Sequence, residues 1–366
     1  MNSVAVSPMT IEPAATSRLG DVDLTTVGFS SVMSDHMLVA EYRDGGWGPV
    51  AIRPYGPLAL PPTISALQYG VSVFEGLKAQ RTPEGDVVLF RPSANATRLN
   101  RSAERLVMPP VPEELFLDGL RTLVRIDAGW VPPHGQGALY IRPSLFSIDE
   151  SVRVKPAERL LFVIVTFPFA AYYAAPVDVL VTDRFVRAFA GGTGEVKPAG
   201  NYAPAMRADV DAQQAGCQTV LWLDGQHRRF IEECGVMNVF FVIGDTVVTP
   251  SLEGTILPGI TRDSVLTLLR DRGMAVEERR IALDEVFDAF AAGRVRDCFG
   301  TGTAATVTHV RSIRHGDRRI DLPPPDAGSL ASAVRASLVG IASGAAPDRH
   351  GWLERITPFL RNEDER

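Results

Sequence analysis

Polar and apolar residues alternate over His36–Tyr42, the period of a half-buried strand. Asp44-Gly45-Gly46 follows as a hairpin-type turn, so the chain opens on antiparallel pairing. Val87–Phe90 reads as a short apolar strand, after which Ser93 caps a predicted helix that runs to Leu106 and stops at Pro109-Pro110. Leu139–Ile141 and Leu160–Thr166 are further predicted strands. Residues 168–178, rich in Pro, Ala and Tyr between two strongly patterned regions, read as a connector between domains. Beyond it come a strand at Val179–Thr182 and a helix from Pro204, a favoured first position, to Gly216, a favoured stop. A meander follows: Thr219–Leu223, Arg229–Cys234, Val239–Ile243 and Val247–Thr249, with hairpin-type turns at Asp224-Gly225 and Gly244-Asp245. Helices at Thr261–Arg272 and Leu283–Ala291, a glycine-rich segment from Phe299 to Ala305, and a last amphipathic helix with Leu330, Val334, Leu338 and Ile341 on one face complete the pattern.

The 366 residues are enough for two domains of ordinary size, and 45% apolar with 22% charged residues is a globular profile. A net charge of −6 argues against a nucleic-acid or anionic-membrane surface. Residues 1–20 have no basic start followed by an apolar core, and are expected to form a flexible arm. The longest uncharged stretch, Leu160 to Val177, is broken by Thr166, Pro168, Tyr172 and Tyr173 and reads as a buried strand entering a linker. Cys217, Cys234 and Cys298 are widely spaced and odd in number, which indicates neither a disulfide framework nor a zinc site; the cytoplasm is the expected compartment.

Candidate chemistry centres on Gly191-Gly192-Thr193-Gly194-Glu195-Val196-Lys197-Pro198-Ala199-Gly200-Asn201-Tyr202. Small residues on both sides of Lys197 let a planar group approach the backbone closely. Alone, a lysine in such a loop is more often a surface charge. Leu257-Pro258-Gly259-Ile260-Thr261-Arg262 enters a helix whose unpaired N–H groups suit a phosphate, or is an ordinary helix start. Gly300-Thr301-Gly302-Thr303-Ala304 is a plain loop or a row of amides and hydroxyls for an anion. Arg98 lies on the polar face of its helix, where solvation is the ordinary fate.

In order, these segments closely resemble the branched-chain amino acid aminotransferases, pyridoxal-phosphate enzymes of fold type IV. The matching stretches are Ser34-Asp35-His36-Met37, Tyr69 to Lys78, Phe90 to Arg98, Leu139 to Pro143, the lysine loop, Cys217 to Leu223, Glu233 to Asn238, Ile256 to Arg262, and Gly300 to Ala304. The resemblance runs from about Phe29 to Trp352. It implies an α/β (α+β) architecture, with a smaller α/β domain at 21–170, a connector at 171–182, and a larger pseudo-barrel domain at 183–366 that binds pyridoxal phosphate. It implies that Lys197 carries the cofactor covalently and moves the proton between substrate Cα and cofactor C4′. Glu233 would keep the pyridine nitrogen protonated, and Tyr202 would bond the ring's 3′-oxygen. Arg98, the Ile260 and Thr261 amides and the Thr301 hydroxyl would hold the phosphate. Tyr69, Thr303 and Ala304 would meet the substrate carboxylate beside Arg142, and Phe29, Phe74 and Tyr140 would line an apolar side-chain pocket.

The sequence departs from the family where the substrate is expected. Val236 replaces a frequent threonine, Phe146-Ser147-Ile148 stands after Ile141-Arg142-Pro143 and Ser144-Leu145 where the family usually continues with Ile-Gly-Thr, and the connector carries Tyr172-Tyr173. The Cys-x-x-Cys pair of the mammalian members is absent, with Ala305 and Thr308 at those positions. The resemblance therefore implies a homodimeric aminotransferase moving nitrogen from L-Leu, L-Ile or L-Val, and from larger apolar or aromatic amino acids, to 2-oxoglutarate, with Val236 at the substrate. The alternatives are a specialised biosynthetic aminotransferase with another apolar substrate, a D-amino acid aminotransferase, an aminodeoxychorismate lyase, and a non-catalytic ligand-binding homologue.

Overall fold

The structure, a computed structural model, describes residues 9–170, 175–326 and 328–357. The chain divides into two units, residues 1–172 with 340–366, and residues 173–339. The first unit holds β1 (Thr10–Ile11), β2 (His36–Arg43), β3 (Gly46–Pro54), β4 (Ser72–Phe74), β5 (Leu77–Arg81), β6 (Val87–Phe90), β7 (Ala138–Ser147) and β8 (Leu160–Phe169). They form one sheet in the order β1-β3-β2-β8-β7-β5-β6, with β4 also on β7. The predicted hairpin is β2–β3, turning through Asp44 at φ 52° and Gly45 at φ 82°, both left-handed as the tightest hairpin turn requires.

Residues 9–20 depart from the expected flexible arm. β1 pairs in parallel with β3, the Ala14 N–H donates to His36 Nε2 at 2.9 Å, and Ser17 Oγ donates to Asp35 Oδ2 at 2.5 Å. Three helices belong to this unit: α1 (Ser65–Tyr69), α2 (Pro92–Arg105) and α3 (Glu113–Ile126). Ser93 is not the cap of α2. Arg91 takes the capping position at φ 52° and Pro92 opens the helix, where its missing N–H costs nothing. Leu115, Phe116, Leu120, Leu123 and Val124 form the buried stripe of α3, and they share one core with Leu38, Ile52, Leu139 and Leu145 of the sheet. Gly119 permits the close approach, since a Cβ there would overlap Leu38 Cδ1. Alternation along β7 turns Tyr140, Arg142 and Phe146 to the opposite face from Leu139, Ile141 and Leu145.

The second unit holds β9 (Val177–Val181), β10 (Thr219–Leu223), β11 (Ile231–Cys234), β12 (Met237–Ile243), β13 (Thr246–Thr249), β14 (Ala275–Glu278), β15 (Val295–Gly302), β16 (Thr306–His315) and β17 (Arg318–Asp321). Strands β9, β10, β11, β12, β15 and β16 pair in that sequence, and β16 pairs back onto β9, so the sheet closes on itself as the expected pseudo-barrel. Its helices are α4 (Met206–Gln214), α5 (Ile260–Asp271), α6 (Leu283–Ala291) and α7 (Leu330–Ala342). Val179, Leu221, Phe241, Cys298 and Ile313 pack with Val286 and Phe287 of α6. Burial pushes the Cys234 thiol up to about 12 and raises Cys298 as well, so both behave as small apolar residues.

Further boundaries differ from the sequence reading: α4 begins at Met206 rather than Pro204, and β11 at Ile231 rather than Arg229. β9 starts at Val177 inside the expected connector, while Tyr172-Tyr173 lie outside the described residues. Asp224-Gly225 is not a two-residue turn, because β10 and β11 are joined by a longer loop in which the Asp224 carboxylate accepts the N–H groups of His227, Arg229 and Phe230. Residues 340–366 return to the first unit through β18 (Leu353–Ile356), which pairs antiparallel with β6. Among the described residues no helix is long and apolar enough to cross a membrane.

Candidate active site

In the second unit, Lys197 stands on a loop that its own side chains fasten. Asn201 Nδ2 donates to the carbonyls of Thr193 at 2.7 Å and Val196 at 3.2 Å, and Thr193 Oγ1 donates to Asn201 Oδ1 at 2.6 Å. With the loop closed in this way, Lys197 Nζ donates to the Tyr202 hydroxyl oxygen at 2.8 Å. The five-residue spacing seen in the sequence thus becomes a direct contact between two half-buried groups.

Glu233, Asn238 and Thr301 are opposed across β11, β12 and β15, and directly opposed residues share one face of a sheet. Glu232, next along β11, faces the other way. Its carboxyl is raised from the ordinary range, first by burial and then by the neighbouring Glu233 and Asp224 charges. The Glu233 carboxylate accepts the Leu257 N–H on Oε1 at 2.8 Å, and Arg187 Nε lies 3.2 Å from its Oε2. Asn238 Nδ2 donates to the Leu257 carbonyl at 2.9 Å. Two side chains of the row therefore grip one backbone residue, and that residue leads through Gly259 into α5. A Cβ at Gly259 would overlap Asn238 Oδ1. The first turn of α5 contains Ile260 and Thr261, and helix first turns direct N–H groups and partial positive charge outward. Thr301 is almost wholly buried, and its Oγ1 has no hydrogen-bond partner among the described residues.

Gly300-Thr301-Gly302 is strand rather than loop, and the turn between β15 and β16 holds Thr303 and Ala304. The β11–β12 turn runs beside it: Gly235 is at φ 58°, Val236 is 53% exposed, and a Cβ at Gly302 would lie 3.8 Å from the Val236 carbonyl oxygen.

The remaining candidates belong to the first unit. Arg98 is not solvated. It is buried and meets Glu75 as a fork, Nε to Oε1 at 2.7 Å and Nη2 to Oε2 at 2.9 Å. Phe29 packs edge-on against Tyr140 at 5.0 Å between ring centroids and against Phe167 at 4.9 Å. Arg142 lies over the rings of Phe74 at 4.6 Å and Tyr140 at 5.3 Å and donates to the Tyr140 hydroxyl at 3.3 Å. Phe146, on the same face of β7, packs instead with Ile64, Ile148, Leu161 and Val163. Tyr69 is 43% exposed and its hydroxyl donates to the Val152 carbonyl.

Sequence reasoning assigned no role to Glu75, Arg187, Asn201 or Asn238. A lone carboxylate within the apolar run Val71 to Leu77 was a signal for Glu75, and an amide inside the lysine loop was one for Asn201. Arg187 carried none, since its partners are two backbone carbonyls and a carboxylate 46 residues along the chain.

A family model described as amino-transferase class IV matches residues 72–313, more than half of the chain. The branched-chain-amino-acid aminotransferase of Mycobacterium tuberculosis (strain H37Rv) is 44% identical over 338 residues, covering 90% of this chain and 92% of that protein. Among solved structures, the branched-chain amino acid aminotransferase from Escherichia coli is similar at a TM-score of 0.73 and 25% identity, covering 88% of this chain and 99% of that one. The branched-chain amino acid aminotransferase from Thermobaculum terrenum, in its PLP-form, shares the fold at a TM-score of 0.71 and 22% identity, covering 87% and 98%.

Proposed function

The chain belongs to the class IV amino-transferases, in their branched-chain amino acid branch, and from that premise we propose how its residues carry the reaction. The enzyme is a pyridoxal-phosphate transaminase that moves the amino group of branched-chain L-amino acids to 2-oxoglutarate. The single observation that carries the reading is Lys197 Nζ donating to the Tyr202 hydroxyl at 2.8 Å from a fastened loop.

The residues present fit the cofactor. Among the described residues the buried Thr301 hydroxyl lacks a hydrogen-bond partner, and a phosphate oxygen is an acceptor that would satisfy it. The adjoining α5 start supplies N–H groups from Ile260 and Thr261, and Arg98, aligned by Glu75, supplies a permanent charge. When bound, pyridoxal phosphate accepts the amino group and spreads the charge left at Cα into its ring. Lys197 holds the cofactor and is the base that moves the proton at Cα. Tyr202 orients Lys197 and bonds the ring oxygen. Glu233 keeps a proton on the pyridine nitrogen. Phe29, Phe74 and Tyr140 of the first unit supply apolar surface for the substrate side chain, and Val236 of the second unit is a further apolar contributor. Arg142, Tyr69 and the Thr303 and Ala304 amides supply the carboxylate end.

The enzyme works as a homodimer in the cytoplasm. Support for the dimer comes from exposed apolar side chains in the first unit, Tyr69 and Val152 in contact with each other and Leu67 and Val154 near them in sequence, of the kind that associating surfaces cover. Purified protein should have a cofactor absorbance band that moves on addition of L-leucine. Borohydride reduction followed by peptide mapping should find the label on Lys197. Label on another lysine, or a band that no amino acid moves, would sink the assignment.

A further inference from the structure

One largely buried cation has no task in that account. The Arg187 side chain is 10% exposed, and it reaches three places. Nη2 donates to the Gly194 carbonyl at 3.0 Å and also to the Thr255 carbonyl, while Nε lies 3.2 Å from Glu233 Oε2. Gly194 is three residues before Lys197, and Thr255 is two before Leu257, whose N–H holds the other oxygen of Glu233. The two backbones that Arg187 joins are already at closest approach, because a Cβ at Gly194 would overlap the Thr255 carbonyl oxygen.

We propose that Arg187 is a positioning residue that fixes Glu233 and the Lys197 loop in one frame, so that the groups serving opposite ends of the cofactor ring keep their separation. The inference rests on the reading that Lys197 and Glu233 serve pyridoxal phosphate. A guanidinium suits the task because its donors point in fixed directions from a plane, whereas a lysine ammonium is a point charge on a flexible stem. Burying that charge is costly unless it is matched. Here a carboxylate and two carbonyl dipoles match it, and each of the three belongs to a different segment. A tie between two loops alone would need only a neutral donor. The positive charge is accounted for by carboxylates: Nε lies 3.2 Å from Glu233 Oε2, and the same cation acts against burial on the neighbouring Glu232.

The test uses holoenzyme of wild type, R187Q, R187K, E233Q and the R187Q/E233Q double variant. Two quantities are measured: the dissociation constant for pyridoxal phosphate, and the pH midpoint of the bound cofactor's absorbance change. R187Q should weaken cofactor binding roughly ten- to a hundredfold, the size of effect found when the partner supporting a ligand is removed, and should move the pH midpoint. R187K keeps the charge and loses the fork, so its midpoint should return toward wild type while its binding stays weaker. In the double variant, R187Q should add less than about a twofold further loss to E233Q, since partners acting as a unit are not additive. R187Q with wild-type affinity and midpoint overturns the proposal, as do fully multiplicative losses in the double variant. Should R187Q fail to fold, R187K decides alone, and wild-type affinity in it overturns the proposal. A wild-type protein that binds no cofactor, or an E233Q variant with an unchanged midpoint, defeats the underlying reading instead.

Discussion

Each unit buries an arginine against a glutamate, and the two pairs are built differently. Arg98 meets Glu75 through two bonds of 2.7 and 2.9 Å, and Asn95 Nδ2 and the Gly76 N–H share the same carboxylate at 2.7 and 3.1 Å. Glu75 is wholly buried. Arg187 approaches Glu233 through Nε at 3.2 Å and gives Nη2 to backbone carbonyls, while the Leu257 N–H holds the opposite oxygen. In the first pair one guanidinium fixes the carboxylate. In the second, the carboxylate is suspended between separate segments, and its place depends on how those segments are spaced. The Glu75 carboxylate therefore depends on its immediate partners, whereas that of Glu233 depends on the spacing of the segments around it. Loss of Glu75 should accordingly register mainly in stability, and loss of Glu233 mainly in chemistry.

The largest effect expected is on Lys197→Ala. Removing the group that holds the cofactor and moves the proton should lower kcat by roughly a thousandfold or more, with the thermal midpoint of the apoprotein nearly unchanged. Substantial turnover would break the assignment of chemistry to the second unit. Next comes the pair of carboxamide variants. Glu75→Gln leaves a buried guanidinium without its counter-charge and should cost about 3–5 kcal/mol, read as a lowered denaturant midpoint. Glu233→Gln should cost less than half as much stability, yet lower kcat on the order of a hundredfold, because a neutral amide cannot hold the pyridine nitrogen protonated. Equal stability losses in the two variants would erase the distinction between the pairs.

Asp224 sharpens the comparison as a carboxylate held by backbone N–H groups. Burial works against its charge, but the Phe230, Arg229 and His227 N–H groups outweigh burial and hold it at about 2, below the ordinary 3.8. A depressed native value contributes stability that is present above the unfolded value and is lost as pH falls through the native one. Asp224→Ala should therefore cost about 1–2 kcal/mol at neutral pH, and its deficit against wild type should shrink as pH falls from about 4 to 2. A deficit that stays constant across that window would mean the loop is held by something other than the ionised carboxylate.

The β-meander and the lysine loop were legible because short-range signals govern them. Thr219–Leu223 and Val87–Phe90 are bounded in the structure as their apolar runs indicate, and Lys197 and Tyr202 stand together on one short glycine-rich loop. What could not be read depends on partners far along the chain. The return of 340–366 to the first unit is decided by β18 pairing with β6, a match between short segments that carries no local mark. Arg98 lay on the polar face of its helix, and only the fold brings Glu75 there to bury it. Arg187 answers to two carbonyls, which every residue possesses, and to Glu233, which only the fold brings near it.

The smallest expected effect concerns which unit sets substrate size. The aromatic group of Phe29, Tyr140, Phe167 and Phe169 lies in the first unit, and Val236 lies on a turn of the second with its side chain 53% exposed. Phe146 packs in a separate cluster, so in the described residues the expected widening of the pocket rests on Val236. Restoring a hydroxyl there changes polarity with little change in volume, and selectivity of this kind is worth about 1–3 kcal/mol at most. Wild type should accept L-phenylalanine beside L-leucine, and Val236→Thr should lower the phenylalanine-to-leucine ratio of kcat/KM by a few-fold, roughly 1 kcal/mol. Phe29→Ala, which opens the aromatic group, should move the ratio the opposite way and further. Phenylalanine inert in wild type and in both variants would end the broad-pocket reading and leave a strictly branched-chain enzyme. A larger response to Val236→Thr than to Phe29→Ala would move the control of substrate size from the first unit to the second.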